Sequence, residues 1–135
     1  MKERLAAAAR DAMTAAYAPY SGYLVGAALL CEDGTVYTGC NVENVSFSAT
    51  NCAERTAFFK AVSDGKRRFT AIAICGGKDG LLNAEPFAPC GICRQVMREF
   101  CNDSFTVYLV TANDIHTTTL GELLPHSFAP ERLGF

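Results

Sequence analysis

From Cys52 onward, helical patterns alternate with short apolar runs, and this alternation limits the possible folds more than any other feature. A helix is predicted over 52–64 and closed by Gly65, then a strand over 70–75. A second helix follows over 91–101 and another strand over 105–111. Strands separated by helices require crossover connections, so the sheet is mixed and mostly buried under helices. Upstream, residues 24–31 form an apolar run of strand length, and 35–41 resume as strand after the turn Glu32-Asp33-Gly34. That pair reads as a β-hairpin. Leu5, Ala8, Ala9, Ala12, Met13 and Ala16 recur at helical spacing, which predicts a helix over 3–17 ended by Pro19 and Gly22. Residues 117–119 read as a short strand, and 120–124 as a short helix ended by Pro125. The expectation is one α/β domain over residues 1–135. A loop over 76–89 is long for such a domain, and long loops are often functional.

Charge and cysteine usage narrow the function. Twelve Lys+Arg stand against fourteen Asp+Glu, a formal charge of −2. A net-acidic small domain lacks the basic face of a nucleic-acid binder, and Lys66-Arg67-Arg68 reads as a solvated turn. No apolar run approaches the ~18 residues needed to span a bilayer. Arg10 and Asp11 interrupt the N-terminal apolar stretch before it could serve as a signal peptide. A cytoplasmic location is therefore expected, with no membrane partner. Seven cysteines in that setting read as metal ligands, catalytic groups or core residues rather than disulfides.

Three of the cysteines stand out by position. Cys90 and Cys93 lie in Pro89-Cys90-Gly91-Ile92-Cys93, at the start of a predicted helix. A spacing of three places both sulfurs on one face of its first turn. Cys52 opens the other helix in Asn51-Cys52-Ala53-Glu54-Arg55. Helix N-termini lower thiol pKa values and favour thiolates. If parallel strands carry both helices, their N-termini emerge at one sheet edge and three thiolates can share a zinc ion. Three protein ligands leave a position open for water, the mark of a catalytic site. A closed structural site would need a fourth ligand from Cys31, Cys40, Cys75, Cys101, His116 or His126, and none has metal-ligand spacing. A redox role for a lone C-x-x-C is the other alternative. Glu54 can hydrogen-bond a metal-bound water, or it can complete a capping box with Asn51 as N-cap. Both readings stay open. Arg55 is placed to donate to sulfur and offset the thiolate charge; Arg94 could do the same or be a solvated charge.

C-A-E-R followed by P-C-G-I-C-R-Q resembles the small cytidine deaminases of pyrimidine salvage, the type with three cysteine ligands. The similarity covers nearly the whole chain. It takes in Ala16-Tyr17-Ala18-Pro19-Tyr20-Ser21, Gly39-Cys40-Asn41-Val42-Glu43-Asn44 and Glu122-Leu123-Leu124-Pro125. The resemblance implies a three-layer α/β/α fold with a mixed, roughly five-stranded sheet. It implies one zinc per chain on Cys52, Cys90 and Cys93, with Glu54 as proton shuttle and Arg55 supporting the sulfurs. The segment Asn41-Val42-Glu43 would bind substrate, Asn41 and Glu43 holding the ribose hydroxyls. The Ala53 backbone would meet the pyrimidine oxygen. Tyr23 stands where the family commonly has Phe against the base. Phe128 resembles an aromatic that reaches a neighbouring subunit's site in a homotetramer. The implied reaction is hydrolytic deamination of cytidine or deoxycytidine to the uridine product and ammonia. The 76–89 loop carries an insertion relative to many relatives, and it ends at a predicted zinc ligand.

Overall fold

The computed structural model describes residues 1–135. Helix α1 (Lys2–Met13) is followed by a hairpin of β1 (Tyr23–Cys31) and β2 (Val36–Cys40). Helix α2 (Ala53–Ser63) leads into β3 (Phe69–Lys78), and α3 (Gly91–Phe100) into β4 (Thr106–Val110). Strand β5 (Ile115–Thr119) and the short α4 (Leu120–Leu123) complete the regular elements before a C-terminal 3₁₀ turn, Pro130–Leu133.

The five strands form one mixed sheet in the order β2-β1-β3-β4-β5. Strand β1 is antiparallel to both β2 and β3, so β2 and β3 run the same way, and β4 runs parallel to β3. Alternation along the strands divides their apolar side chains between two faces. Ala28, Leu30, Ala71, Ala73 and Cys75 pack under α1 against Leu5, Ala6, Ala9 and Met13. Ala27, Leu29, Ile72, Ile74, Val107 and Leu109 face α2 and α3, meeting Ala57, Phe58, Ala61 and Met97. The result is the expected three-layer α/β/α arrangement.

Two glycines set how closely the helices approach. A Cβ on Gly26 would lie 2.0 Å from the Ala9 carbonyl oxygen in α1. A Cβ on Gly39 would lie 2.4 Å from the Ala53 carbonyl oxygen and 2.6 Å from the Ala57 nitrogen in α2. Both obstacles are backbone atoms and cannot rotate away.

Three expectations need correction. Helix α1 ends at Met13 rather than at residue 17, because Thr14 Oγ1 bonds back to the Asp11 carbonyl and Tyr17 leaves to pair with Asn41 and Glu43. The long loop begins after Lys78, because Gly76, Gly77 and Lys78 pair with Val25, Leu24 and Tyr23 and extend β3. The capping box does not form. The N-cap of α2 is Cys52, and the Asn51 side chain donates instead to Thr56 Oγ1 at 3.1 Å.

Gly39→Ala should push the start of α2 off the sheet and cost about 1–3 kcal/mol in a urea unfolding experiment. An unchanged midpoint would mean that α2 tolerates a wider spacing than this packing implies.

Candidate active site

Parallel β2 and β3 discharge the chain at the same sheet edge. The connection after β2 enters α2 at Cys52, and the connection after β3 enters α3 at Cys90. Each cysteine is the N-cap of its helix, extended in backbone and making no side-chain cap bond to it. Cys93 sits one turn into α3 and is buried. The three sulfurs converge: Cys52 and Cys90 lie 3.8 Å apart, Cys90 and Cys93 3.5 Å, and all lie within 4.8 Å of one another.

Four ligands around zinc at about 2.3 Å in a tetrahedron stand about 3.8 Å from one another. The 3.8 and 3.5 Å spacings lie close to that figure and the third sulfur pair lies within 4.8 Å, so the donor set fits one zinc ion. No fourth Cys, His, Asp or Glu joins the group. His116 pairs with Asp114 at 3.0 Å, and Cys31 and Cys75 lie in the core. The closed-site alternative finds no support in this geometry.

The electrostatics favour a sulfur anion at Cys52. Hydrogen bonding from Cys93 and from Arg55 brings the Cys52 thiol down to about 5 against its burial. Its hydrogen bond to Cys52, together with burial, raises the Cys93 thiol. Ionising all three sulfurs therefore requires a cation among them. Arg55 supplies fixed positive charge, its Nη2 lying 3.3 Å from Cys52 Sγ.

Glu54 is only 4% exposed, in the first turn of α2 beside Cys52. Burial, with the Cys52 charge adding to it, pushes its carboxyl up to about 7. No other side chain hydrogen-bonds it. Ala53 occupies the same turn, where backbone N–H groups have no acceptor within the helix.

Polar segments line the adjoining edge. Val42 exchanges backbone hydrogen bonds with Asn51, each 2.9 Å, which fixes residues 41–43 beside the start of α2. The buried Asn41 side chain accepts from the Val25 N–H and donates to the Tyr23 carbonyl. Glu43 accepts from the Tyr20 and Ser21 N–H groups and from the Ser21 hydroxyl, which holds its carboxyl below the ordinary value. An open pocket of about 430 Å³ adjoins Glu43, lined also by Tyr20, Ser21, Phe47 and Thr50. A larger cleft of about 760 Å³ lies by the C-terminal segment, and neither pocket is lined by a cysteine. Tyr23 begins β1, with Lys78 Nζ 5.4 Å from its ring centre and the Phe87 ring 6.3 Å away. Phe128 is 61% exposed on the C-terminal segment, and no hydrogen bond ties it to the cysteine cluster. Ser21 lies in the Ala16–Ser21 motif that carries the resemblance but has no role assigned there, and nothing in the sequence singles out Lys78 or Phe87. Their parts come from contacts across the fold, and no spacing in the chain announces them.

The chain matches the family model described as "Cytidine and deoxycytidylate deaminase zinc-binding region" over residues 1–109. It is 54% identical over 134 residues to a cytidine deaminase of Sporosarcina psychrophila, covering 98% of this chain and 95% of the relative. A solved cytidine deaminase from Burkholderia pseudomallei superposes with a TM-score of 0.86 at 45% identity, covering 95% of this chain and 99% of that one. One from Mycobacterium tuberculosis gives a TM-score of 0.77 at 39% identity, over 94% and 96%.

The raised carboxyl of Glu54 has a consequence for stability in the metal-free protein. Below the ordinary value of 4.5 the group is protonated whether folded or unfolded. As pH rises toward about 7 the unfolded chain ionises first, so the fold loses stability, and the loss is complete above that pH. Glu54→Gln should therefore stabilise metal-free protein near pH 8 by about 2–3 kcal/mol and change little near pH 4. Urea midpoints at the two pH values check this. Equal gains at both would assign the effect to packing rather than charge.

Proposed function

The chain belongs to the cytidine and deoxycytidylate deaminase family, and we propose that it removes the 4-amino group of cytidine and deoxycytidine hydrolytically. The observation that carries the reading is the buried Glu54 beside three converging sulfurs on two helix N-termini. Cys52, Cys90 and Cys93 would hold one zinc, which when bound supplies a Lewis acid and an activated water.

The rest of the chemistry falls to the protein. Glu54 takes a proton from the attacking water and delivers it to ring N3, which makes C4 electrophilic. It then carries the second proton to the departing amino group, which leaves as ammonia. One carboxylate serves as base and then as acid. Arg55 offsets the excess charge of three thiolates. The Ala53 N–H is offered to the pyrimidine oxygen, and the Tyr23 ring packs against the base. Asn41 and Glu43, flanking Val42, hold the ribose hydroxyls. Glu43 is suited to this because three donors fix one carboxylate in place.

Residues 1–135 act as one catalytic domain in this reading. The protein assembles as a homotetramer in which Phe128 completes a neighbouring subunit's site. The exposed apolar residues Val45, Phe47 and Phe128 support burial between subunits. No helix is long and apolar enough to cross a membrane. A cytoplasmic enzyme of pyrimidine nucleoside salvage is the corresponding cellular role.

The test is the ultraviolet absorbance change when zinc-loaded protein meets cytidine, with Glu54→Ala alongside. Turnover by the wild type is expected. The variant should retain zinc and lose at least about 10²–10⁴ in kcat. Absence of wild-type turnover with zinc bound would reject the substrate assignment. Turnover retained by Glu54→Ala would remove Glu54 from the chemistry.

A further inference from the structure

Arg94 and Gln95 directly follow Cys93, and neither is used by the chemistry above. Arg94 reaches in two directions at once. Its Nε donates to the Pro89 carbonyl at 2.8 Å, and its Nη1 donates to the Leu123 carbonyl at 2.7 Å. Its backbone N–H also donates to the Cys90 carbonyl at 3.0 Å. One residue thus bonds the carbonyls on both sides of the Cys90 Cα, and Pro89 itself is fully buried. No carboxylate pairs with Arg94, so the guanidinium serves these carbonyls alone. Gln95 Nε2 donates to the Phe128 carbonyl at 2.8 Å. That bond is the sole hydrogen bond from residues 125–135 to the rest of the chain.

We infer that Arg94 and Gln95 are positioning residues: Arg94 locks the end of α4, from which the C-terminal segment departs, to the loop bearing Cys90, and Gln95 locks the segment bearing Phe128 to α3. The tether rests on the hydrogen bonds themselves, and its effect on turnover rests on the functional reading above. Arg94 fixes the Pro89–Cys90 peptide, and with it the position of the Cys90 sulfur. The planar fork is what lets one side chain satisfy two separate carbonyls, which a lysine nitrogen cannot do at the same reach. Charge assistance strengthens both bonds. Gln95 then sets where Phe128 is presented, without touching the Cys90 loop. The two neighbours therefore act at different places. Arg94 holds the metal loop and the end of α4 just ahead of the C-terminal segment, and Gln95 holds the segment itself at Phe128.

This division gives the two residues different signatures. Chymotryptic cleavage after Phe128, followed by mass spectrometry, reads the tether in metal-free and zinc-loaded protein alike. Arg94→Ala and Gln95→Ala should both be cleaved about tenfold faster than wild type, consistent with the loss of one or two hydrogen bonds. Zinc transfer to a chromophoric chelator reads the Cys90 loop. Arg94→Ala should release zinc about tenfold faster, the usual order for a residue that orients a ligand. Gln95→Ala should release it at the wild-type rate. In turnover of cytidine, Gln95→Ala should raise KM about fivefold, more than it lowers kcat. Gln95→Lys, which keeps a donor at similar reach, should restore KM. Should Arg94→Ala fail to fold by circular dichroism, Arg94→Lys replaces it, and intermediate rates of cleavage and release are expected. Wild-type cleavage and zinc release in the folded Arg94 variant, or wild-type cleavage and KM in Gln95→Ala, would overturn the inference. A wild type without turnover would instead overturn the functional reading, leaving the cleavage rates to decide the tether.

Discussion

Strands β2 and β3 run in the same direction and leave the sheet at one edge, and each then turns into a helix that begins on a cysteine. Everything at the site depends on that shared edge. Two helix N-termini brought together concentrate partial positive charge where three sulfurs gather. The approach has to be close, and Gly39 permits it by leaving room for the Ala53 carbonyl. A larger residue there would displace the helix start that carries Cys52, Glu54 and Arg55. Core packing and metal geometry are in this sense one problem, since the same backbone contact sets both.

The cluster is electrostatically uneasy by itself. Cys52 is driven toward the thiolate while Cys93 is driven away from it, and Glu54 is held in a site that resists its charge. A zinc ion resolves the conflict among the sulfurs, and the charge of Arg55 limits the remaining excess. Burial opposes the negative form of Glu54 in the metal-free site. The strain on the metal-free fold comes from that same placement.

On the substrate side, the groups that would meet a nucleoside also hold the edge together. Asn41 bridges the backbone of Tyr23 and Val25, and Ser21 links Glu43 to the Tyr23 N–H. Tyr23 is thereby fixed from behind while Phe87 and Lys78 flank its ring. The C-terminal segment is attached more sparsely. Its one hydrogen bond through Gln95 leaves the presentation of Phe128 to a single side chain.

The order of helices and strands, the sheet's two buried faces and the three cysteines with Glu54 and Arg55 beside them were all legible in the chain alone. These features follow from period, turn residues and short-range spacing, which act within a few residues along the chain. The end of α1 and the start of the long loop were misjudged, because in both places distant backbone pairing overrides local preference: Tyr17 with Asn41 and Glu43, and Lys78 with Tyr23. The chain alone left Glu54 open to a role as a cap, and the fold removes that role by placing Cys52 at the N-cap and burying the carboxylate. Nothing decisive could be read of Arg94, whose partners are backbone carbonyls of Pro89 and Leu123. Carbonyl oxygens are the same in every residue, so a chain carries no local mark of which of them a side chain will find. Only the folded path of the backbone decides that.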